Sequence, residues 1–172
     1  MDKIKIGTIN IDWCKKTKAR LKLVQKVLRS EKFDFLVVTE NIEKFNFEEA
    51  HYYAYHSTEI PTYEEYEYLN YGQYLKGETP IRVSIYTPYI SIVKYEVIDL
   101  KTSIAHLFKV KGLEFILYGT IIGTWGIKYQ KELAEKELEN SKEDIQYLKS
   151  INQNLIIAGD LNTSFIESEN TQ

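Results

Sequence analysis

The sequence predicts a layered α/β fold in which sheet packs on sheet and helices lie outside. Three observations carry this expectation. Short β-branched, apolar segments clearly outnumber helical ones. The two strong amphipathic patterns, near the N-terminus and after residue 128, lie far apart in sequence. The chain also opens strand, helix, strand rather than repeating that alternation throughout, and this favours a sandwich over a uniform βα wind.

Taken in order, Lys3 to Ile11 (KIKIGTINI) alternates and is β-branched, the signature of a strand. From Thr17 to Arg29, Ala19, Leu21, Leu23, Val24, Val27 and Leu28 recur at helical spacing, which predicts a helix with one buried stripe. Phe33 to Thr39 (FDFLVVT) is nearly continuous in apolar character, as expected of a strand covered on both faces. A right-handed parallel βαβ unit is one arrangement of this opening. Asn41 to Asn46 reads as a loop or helical turn, His51 to His56 as a short strand, and Pro61 to Thr79 as a long polar, tyrosine-rich loop. Ile81 to Thr87 alternates and is ended by Pro88. Ile90 to Leu100, Ser103 to Val110 and Leu113 to Ile122 follow, with Lys111-Gly112 as a hairpin turn, and the run reads as an antiparallel meander. Tyr129 to Ile151 predicts a helix with Leu133, Ala134, Leu138, Ile145 and Leu148 on one side and a charged face opposite. Asn154 to Gly159 is the final buried strand.

The length of 172 residues fits one domain, 1–172, without repeat or linker. No apolar run approaches the roughly 20 residues of a membrane span, and no signal-peptide block precedes the first strand. A single cysteine, Cys14, excludes an internal disulfide framework and a cysteine-rich zinc site, so a cytoplasmic location is the default expectation. The formal charge of −3 argues against broad electrostatic binding of nucleic acid, yet is compatible with meeting a phosphate through a cation. Fourteen tyrosines suit strands and surfaces, and stacking on bases is the alternative reading of them.

The informative polar residues stand at the ends of apolar strands, where an ionised group beside the core needs a partner. Glu40 follows FDFLVVT, Asp160 follows NLIIAG with Asn162 two residues on, and Asn10 interrupts the first strand. Hard oxygen donors gathered in this way suit Mg²⁺ or Mn²⁺, although a strand-end carboxylate is often only a cap or a solvated loop residue.

In KIGTIN, DFLVVTE, IRVSIYTPY, FILYGTII and LIIAGDLN, spread over most of the chain, the sequence resembles the endonuclease/exonuclease/phosphatase family. The resemblance implies a DNase I-like sandwich of two mixed or antiparallel sheets flanked by helices, and hydrolysis of a phosphoester by metal-assisted attack of water. It implies Glu40 as metal ligand with Asn10 beside it in the metal and phosphate shell. Asp160 would position or deprotonate the water, and Asn162 would orient it. Tyr86, in the segment resembling the family's central strand, and Trp125, in the Gly123-Thr124-Trp125-Gly126 loop, are the candidate substrate contacts. Trp125 is read either as a stacking face or as a packing lid.

Family members continue past the Gly-Asp-x-Asn signature and end in an Asp-His pair, whereas this sequence stops at Gln172. The resemblance therefore implies a C-terminally incomplete domain with open strand edges, for which a homo-oligomer or a complementing chain is the expected remedy. None of the three histidines is assigned to catalysis. His106, alternating with Ile104 and Phe108, reads as a half-buried sheet residue. Hydrolase activity on a phosphate ester, nucleic acid included, is the leading reading. A non-catalytic nucleic-acid or protein binding module that keeps the fold is the alternative.

Overall fold

A computed structural model describes residues 3–11, 22–23, 25–26, 30–42, 53–58, 80–122 and 131–162. Eight strands make two four-stranded sheets. The first holds β1 (Ile6–Asn10), β2 (Phe35–Ile42), β4 (Pro80–Thr87) and β3 (Tyr53–His56), in the spatial order β1-β2-β4-β3. The second holds β5 (Val93–Tyr95), β6 (Ser103–Val110), β7 (Leu113–Ile121) and β8 (Leu155–Asp160) in sequence order. β1 and β2 are parallel, as the opening strand-helix-strand pattern allows, and β7 and β8 are also parallel. The remaining pairs are antiparallel.

Alternation along the strands builds the core. Phe35 and Val37 of β2 and Val83 and Ile85 of β4 face Ile104, Phe108, Phe115 and Leu117 of β6 and β7, all essentially removed from water. Each such side chain contributes about 1.5–3 kcal/mol as an upper bound. The rings of Phe35 and Phe108 meet edge-on at 4.8 Å. The hairpin at Lys111-Gly112 has positive φ at both residues (52° and 80°), the turn chemistry that this dipeptide predicts.

Asp34 closes the sandwich at the end where β2 begins. Its carboxylate accepts from the Lys5 backbone amide at 2.7 Å, from the Tyr89 hydroxyl at 2.8 Å and from Lys111 Nζ at 3.1 Å. Burial pushes this carboxyl upward. The bonds from Lys5, Tyr89 and Lys111, with the Lys111 charge, outweigh burial and hold it below the usual aspartate value.

Four expectations need correction. The presumed loop at Asn41 begins as strand, since β2 continues through Glu40, Asn41 and Ile42. The run from 81 to 122 is not one meander: β4 joins the first sheet and β5, β6 and β7 the second. Of the first helix, Lys22, Leu23, Gln25, Lys26, Ser30 and Glu31 are helical. Leu23, placed in its buried stripe, is 61% exposed, and the other stripe residues lie outside the described ones. Finally, the helix Lys131–Ile151 does not turn a purely apolar face inward.

Glu137, Ser141, Asp144 and Leu148 recur on the buried side of this helix. Arg82 donates to Glu137 at 3.4 Å, while Asp144 accepts from the Ile98 amide and lies 2.9 Å from the Tyr118 hydroxyl, itself 2.9 Å from Ser103 Oγ. Burial raises the Asp144 carboxyl and pushes the Tyr118 phenol up to about 12. No helix among the described residues is long and apolar enough to cross a membrane.

Candidate active site

The sequence-predicted polar residues gather where β1, β2 and β8 end. Parallel pairing sets Asn10 beside Thr39, so Glu40 stands one residue beyond it at the edge of the first sheet's apolar stretch. β8 belongs to the other sheet, and its end reaches β1 through two bonds. Asn10 Nδ2 donates to Asp160 Oδ2 at 2.6 Å, and Thr8 Oγ1 donates to the Gly159 carbonyl at 3.3 Å. The amide of Asn162 donates back to Asp160 Oδ1 at 3.2 Å, a local turn that fixes the residue after the strand. Asn10, Asp160 and Asn162 thus form one hydrogen-bonded group spanning both sheets.

The backbone is unusual at the same place. Glu40 (φ 51°) and Asn162 (φ 44°) are left-handed, and Gly159 has φ 143°. Left-handed non-glycine residues are uncommon, and they persist where the surroundings over-determine them, often at functional sites. Immediately after Glu40, Asn41 is fully buried. Its Nδ2 donates to Ser84 Oγ at 2.8 Å and to the Tyr86 hydroxyl at 2.9 Å. His56 Nδ1 lies 2.8 Å from the same Ser84 Oγ. Thr39 Oγ1 is buried, with no hydrogen-bond partner among the described residues.

No protein-family model matches the sequence, and no curated protein resembles it by sequence. Solved structures do resemble it. The human Nocturnin catalytic domain with bound sulfate superposes with a TM-score of 0.68 at 17% identity, covering 95% of this chain and 65% of that one. The 3′ phosphatase NExo from Neisseria, bound to a product DNA hairpin, gives 0.62 at 16% identity, covering 96% of this chain and 60% of that one. The endonuclease domain of TRAS1, a telomere-specific non-LTR retrotransposon, gives 0.58 at 12%, covering 94% and 62%. The chain has the DNase I-like fold. It spans 60% to 65% of the length of these three structures.

Within this DNase I-like sandwich the predicted residues separate into three groups. Asn10, Asp160 and Asn162 are joined directly, and Glu40 is next to them by strand register. Tyr86 is 1% exposed, so its ring offers no face to a ligand, and its hydroxyl accepts from Asn41, the residue after Glu40. Trp125 lies outside the described residues. Asn41, Ser84 and Thr8 were given no role from the sequence, and Gly159 figured there only as part of the Gly-Asp-x-Asn signature. The available signal was polarity: Asn41 and Ser84 interrupt otherwise apolar strands, as Asn10 does. His106 lies on the sheet as expected, but buried rather than half-buried. Its Nδ1 lies 2.7 Å from Ser91 Oγ, its ring is 4.5 Å from that of Tyr55, and burial, aided by the Lys94 charge, lowers it to about 4.

The donor set fits a hard divalent cation. No group of three or more His, Cys, Asp or Glu side chains converges among the described residues. Mg²⁺ does not need one, because it is usually held by one or two carboxylates, with water and substrate phosphate completing the shell. Glu40 and Asp160 are the carboxylates that could hold it. The Asn10 amide, turned with its nitrogen to Asp160, has its carbonyl oxygen as the atom suited to a cation.

Proposed function

We propose that this chain is a divalent-metal-dependent phosphoester hydrolase of the nuclease or phosphatase kind, with Glu40 and Asn10 as metal-side groups and Asp160 and Asn162 as water- and phosphate-side groups. The observation that carries the reading is the 2.6 Å bond from Asn10 to Asp160. It brings an amide and a carboxylate from opposite sheets to the strand end where Glu40 leaves regular β geometry.

A bound Mg²⁺ or Mn²⁺ would polarise a phosphoryl oxygen and offset the charge that develops there in the transition state. The protein's own groups do the rest. The Asp160 carboxylate is oriented by two donors, one on each oxygen, before any substrate arrives. It aligns the attacking water and takes its proton. Asn162, exposed beyond the strand, donates to a phosphate oxygen and holds the ester in line with that water. Tyr86 acts indirectly through Asn41, and Trp125 is the stacking surface for a base or sugar. Sulfate on one structural neighbour and product DNA on another support a tetrahedral anion as the shared ligand chemistry.

Hydrolysis of bis(p-nitrophenyl) phosphate by the purified chain tests this. Turnover should require Mn²⁺ or Mg²⁺, stop with EDTA, and fall roughly 100-fold or more in Asp160→Ala. Glu40→Ala should abolish both turnover and Mn²⁺ binding. Turnover indifferent to EDTA, or Mn²⁺ binding indifferent to Glu40→Ala, rules the reading out.

A further inference from the structure

Along β2 the side chains alternate in the ordinary way as far as Thr39. Phe35 and Val37 face the core between the sheets, together with Val83 and Ile85 of β4. A regular strand would carry Asn41 to that same inner face. Its amide lies instead with Ser84 and Tyr86, which occupy the opposite face of β4, and reaches back three positions from its register partner Ile81 to meet Ser84. The change of face takes place at Glu40, the left-handed residue between them. Such a conformation is strained for an L-residue, so something nearby must hold it.

The bonds made by Asn41 are suited to that task. The amide spends both hydrogens, one on Ser84 Oγ and one on the Tyr86 hydroxyl, and all three residues are buried. Ser84 Oγ, which accepts one hydrogen from Asn41, also lies 2.8 Å from His56 Nδ1, and this contact extends the chain of bonds to β3. Inside the protein, where water cannot compete, losing such a partner leaves a donor unsatisfied.

We propose that Asn41, anchored by Ser84 and Tyr86, is the positioning residue for Glu40: its pinned amide locks the left-handed turn and so fixes the direction in which the Glu40 carboxylate leaves β2. The consequence for metal binding rests on the function proposed above, whereas the conformational claim does not.

Two readouts on the isotopically labelled full chain decide it. A left-handed residue gives a strong intraresidue cross-peak between its amide proton and Hα, which reports the Glu40 conformation directly. Free-ion electron paramagnetic resonance reports Mn²⁺ affinity. In the double variant Ser84→Ala/Tyr86→Phe the Glu40 cross-peak should weaken to that of an ordinary strand residue, and Mn²⁺ affinity should fall roughly 10- to 100-fold, as when a ligand loses its supporting shell. Tyr86→Phe alone keeps the ring and its packing and should show the same changes in part, which keeps the test readable if the double variant does not fold. Tyr118→Phe removes a buried hydroxyl from the other sheet and should move neither readout. A Glu40 cross-peak unchanged in both Tyr86→Phe and the double variant overturns the proposal, as does an equal loss in Tyr118→Phe. Absence of Mn²⁺ binding in the wild-type chain sinks the proposed function instead, and the cross-peak still decides the positioning role.

Discussion

Asp160 reaches the site because of the residue that precedes it. Gly159 takes φ 143°, a conformation closed to other residues without strain, and a Cβ built there would lie 1.9 Å from the Thr120 carbonyl oxygen. β8 is therefore pressed against β7 one residue before the carboxylate, and the Gly159 carbonyl is at the same time the acceptor for Thr8. Replacing Gly159 with alanine must push the two strands apart. Gly159→Ala should lower the unfolding free energy by about 2 kcal/mol or more, read from urea denaturation. It should weaken Mn²⁺ binding as well, since Asp160 moves with the strand. An unchanged urea midpoint would show that β8 can shift at no cost and that the close approach is incidental. In the sequence Gly-Asp-x-Asn pointed to the right residues, but the glycine's steric reason becomes visible only beside Thr120, 39 positions earlier in the chain.

At the scale of elements, alternation in segments such as KIKIGTINI and IRVSIYT, and continuous apolar runs in FDFLVVT and NLIIAG, predicted the strands, because both patterns record which side chains leave water. It does not record pairing partners, and so the segment Ile81 to Thr87 was placed with its sequence neighbours when its register is with β2 and β3. The helix Lys131–Ile151 failed in the same way. Glu137 and Asp144 look solvated in sequence, and partners far away along the chain, Arg82 for the one and Tyr118 and the Ile98 amide for the other, make their burial tolerable. His106 on β6 went the other way: an alternating position correctly predicted a sheet-face histidine. Its chemistry sets a further expectation. Folded, the imidazole takes a proton only near pH 4, held down by burial and by Lys94, whereas in an unfolded chain it does so near 6.5. Between those values the unfolded chain binds more protons, so acid draws the equilibrium toward it. Stability should fall as pH drops from about 6.5 to about 4. The fall should be shallower in His106→Leu, with urea midpoints measured across that window; equal slopes would remove His106 from the acid response.

Across the whole molecule, the two sheets are tied differently at their two ends. At one end Lys111, from the turn between β6 and β7, bonds Asp34 just before β2, and neutralisation is complete within the protein. At the other end the tie is Asn10 to Asp160 and Thr8 to Gly159, with Glu40 alongside and a buried Thr39 hydroxyl beneath. The grouping of Asn10, Glu40, Asp160 and Asn162 was legible through the resemblance carried by KIGTIN, DFLVVTE and LIIAGDLN, since a polar residue at the end of an apolar strand says little taken singly. The clamp through Asn41 was not, since nothing local reveals a left-handed turn in a strand. If a divalent cation bridges Glu40 of one sheet to the Asn10–Asp160 pair, it binds only when both sheets are assembled, and its binding free energy becomes stability of the sandwich. Adding Mn²⁺ to about 100 times its dissociation constant should then stabilise the chain by about 2.7 kcal/mol. Glu40→Ala and Asp160→Ala should show little of that gain, and the paired variant no more than either alone, because each removes one side of the same bridge. Lys111→Ala, which loosens the far end of the sandwich, should lower stability with and without Mn²⁺ yet leave the increment from the cation intact. A thermal midpoint that rises equally with Mn²⁺ in all of these proteins would mean that the cation binds elsewhere, and that the strand-end group holds the sheets together without it.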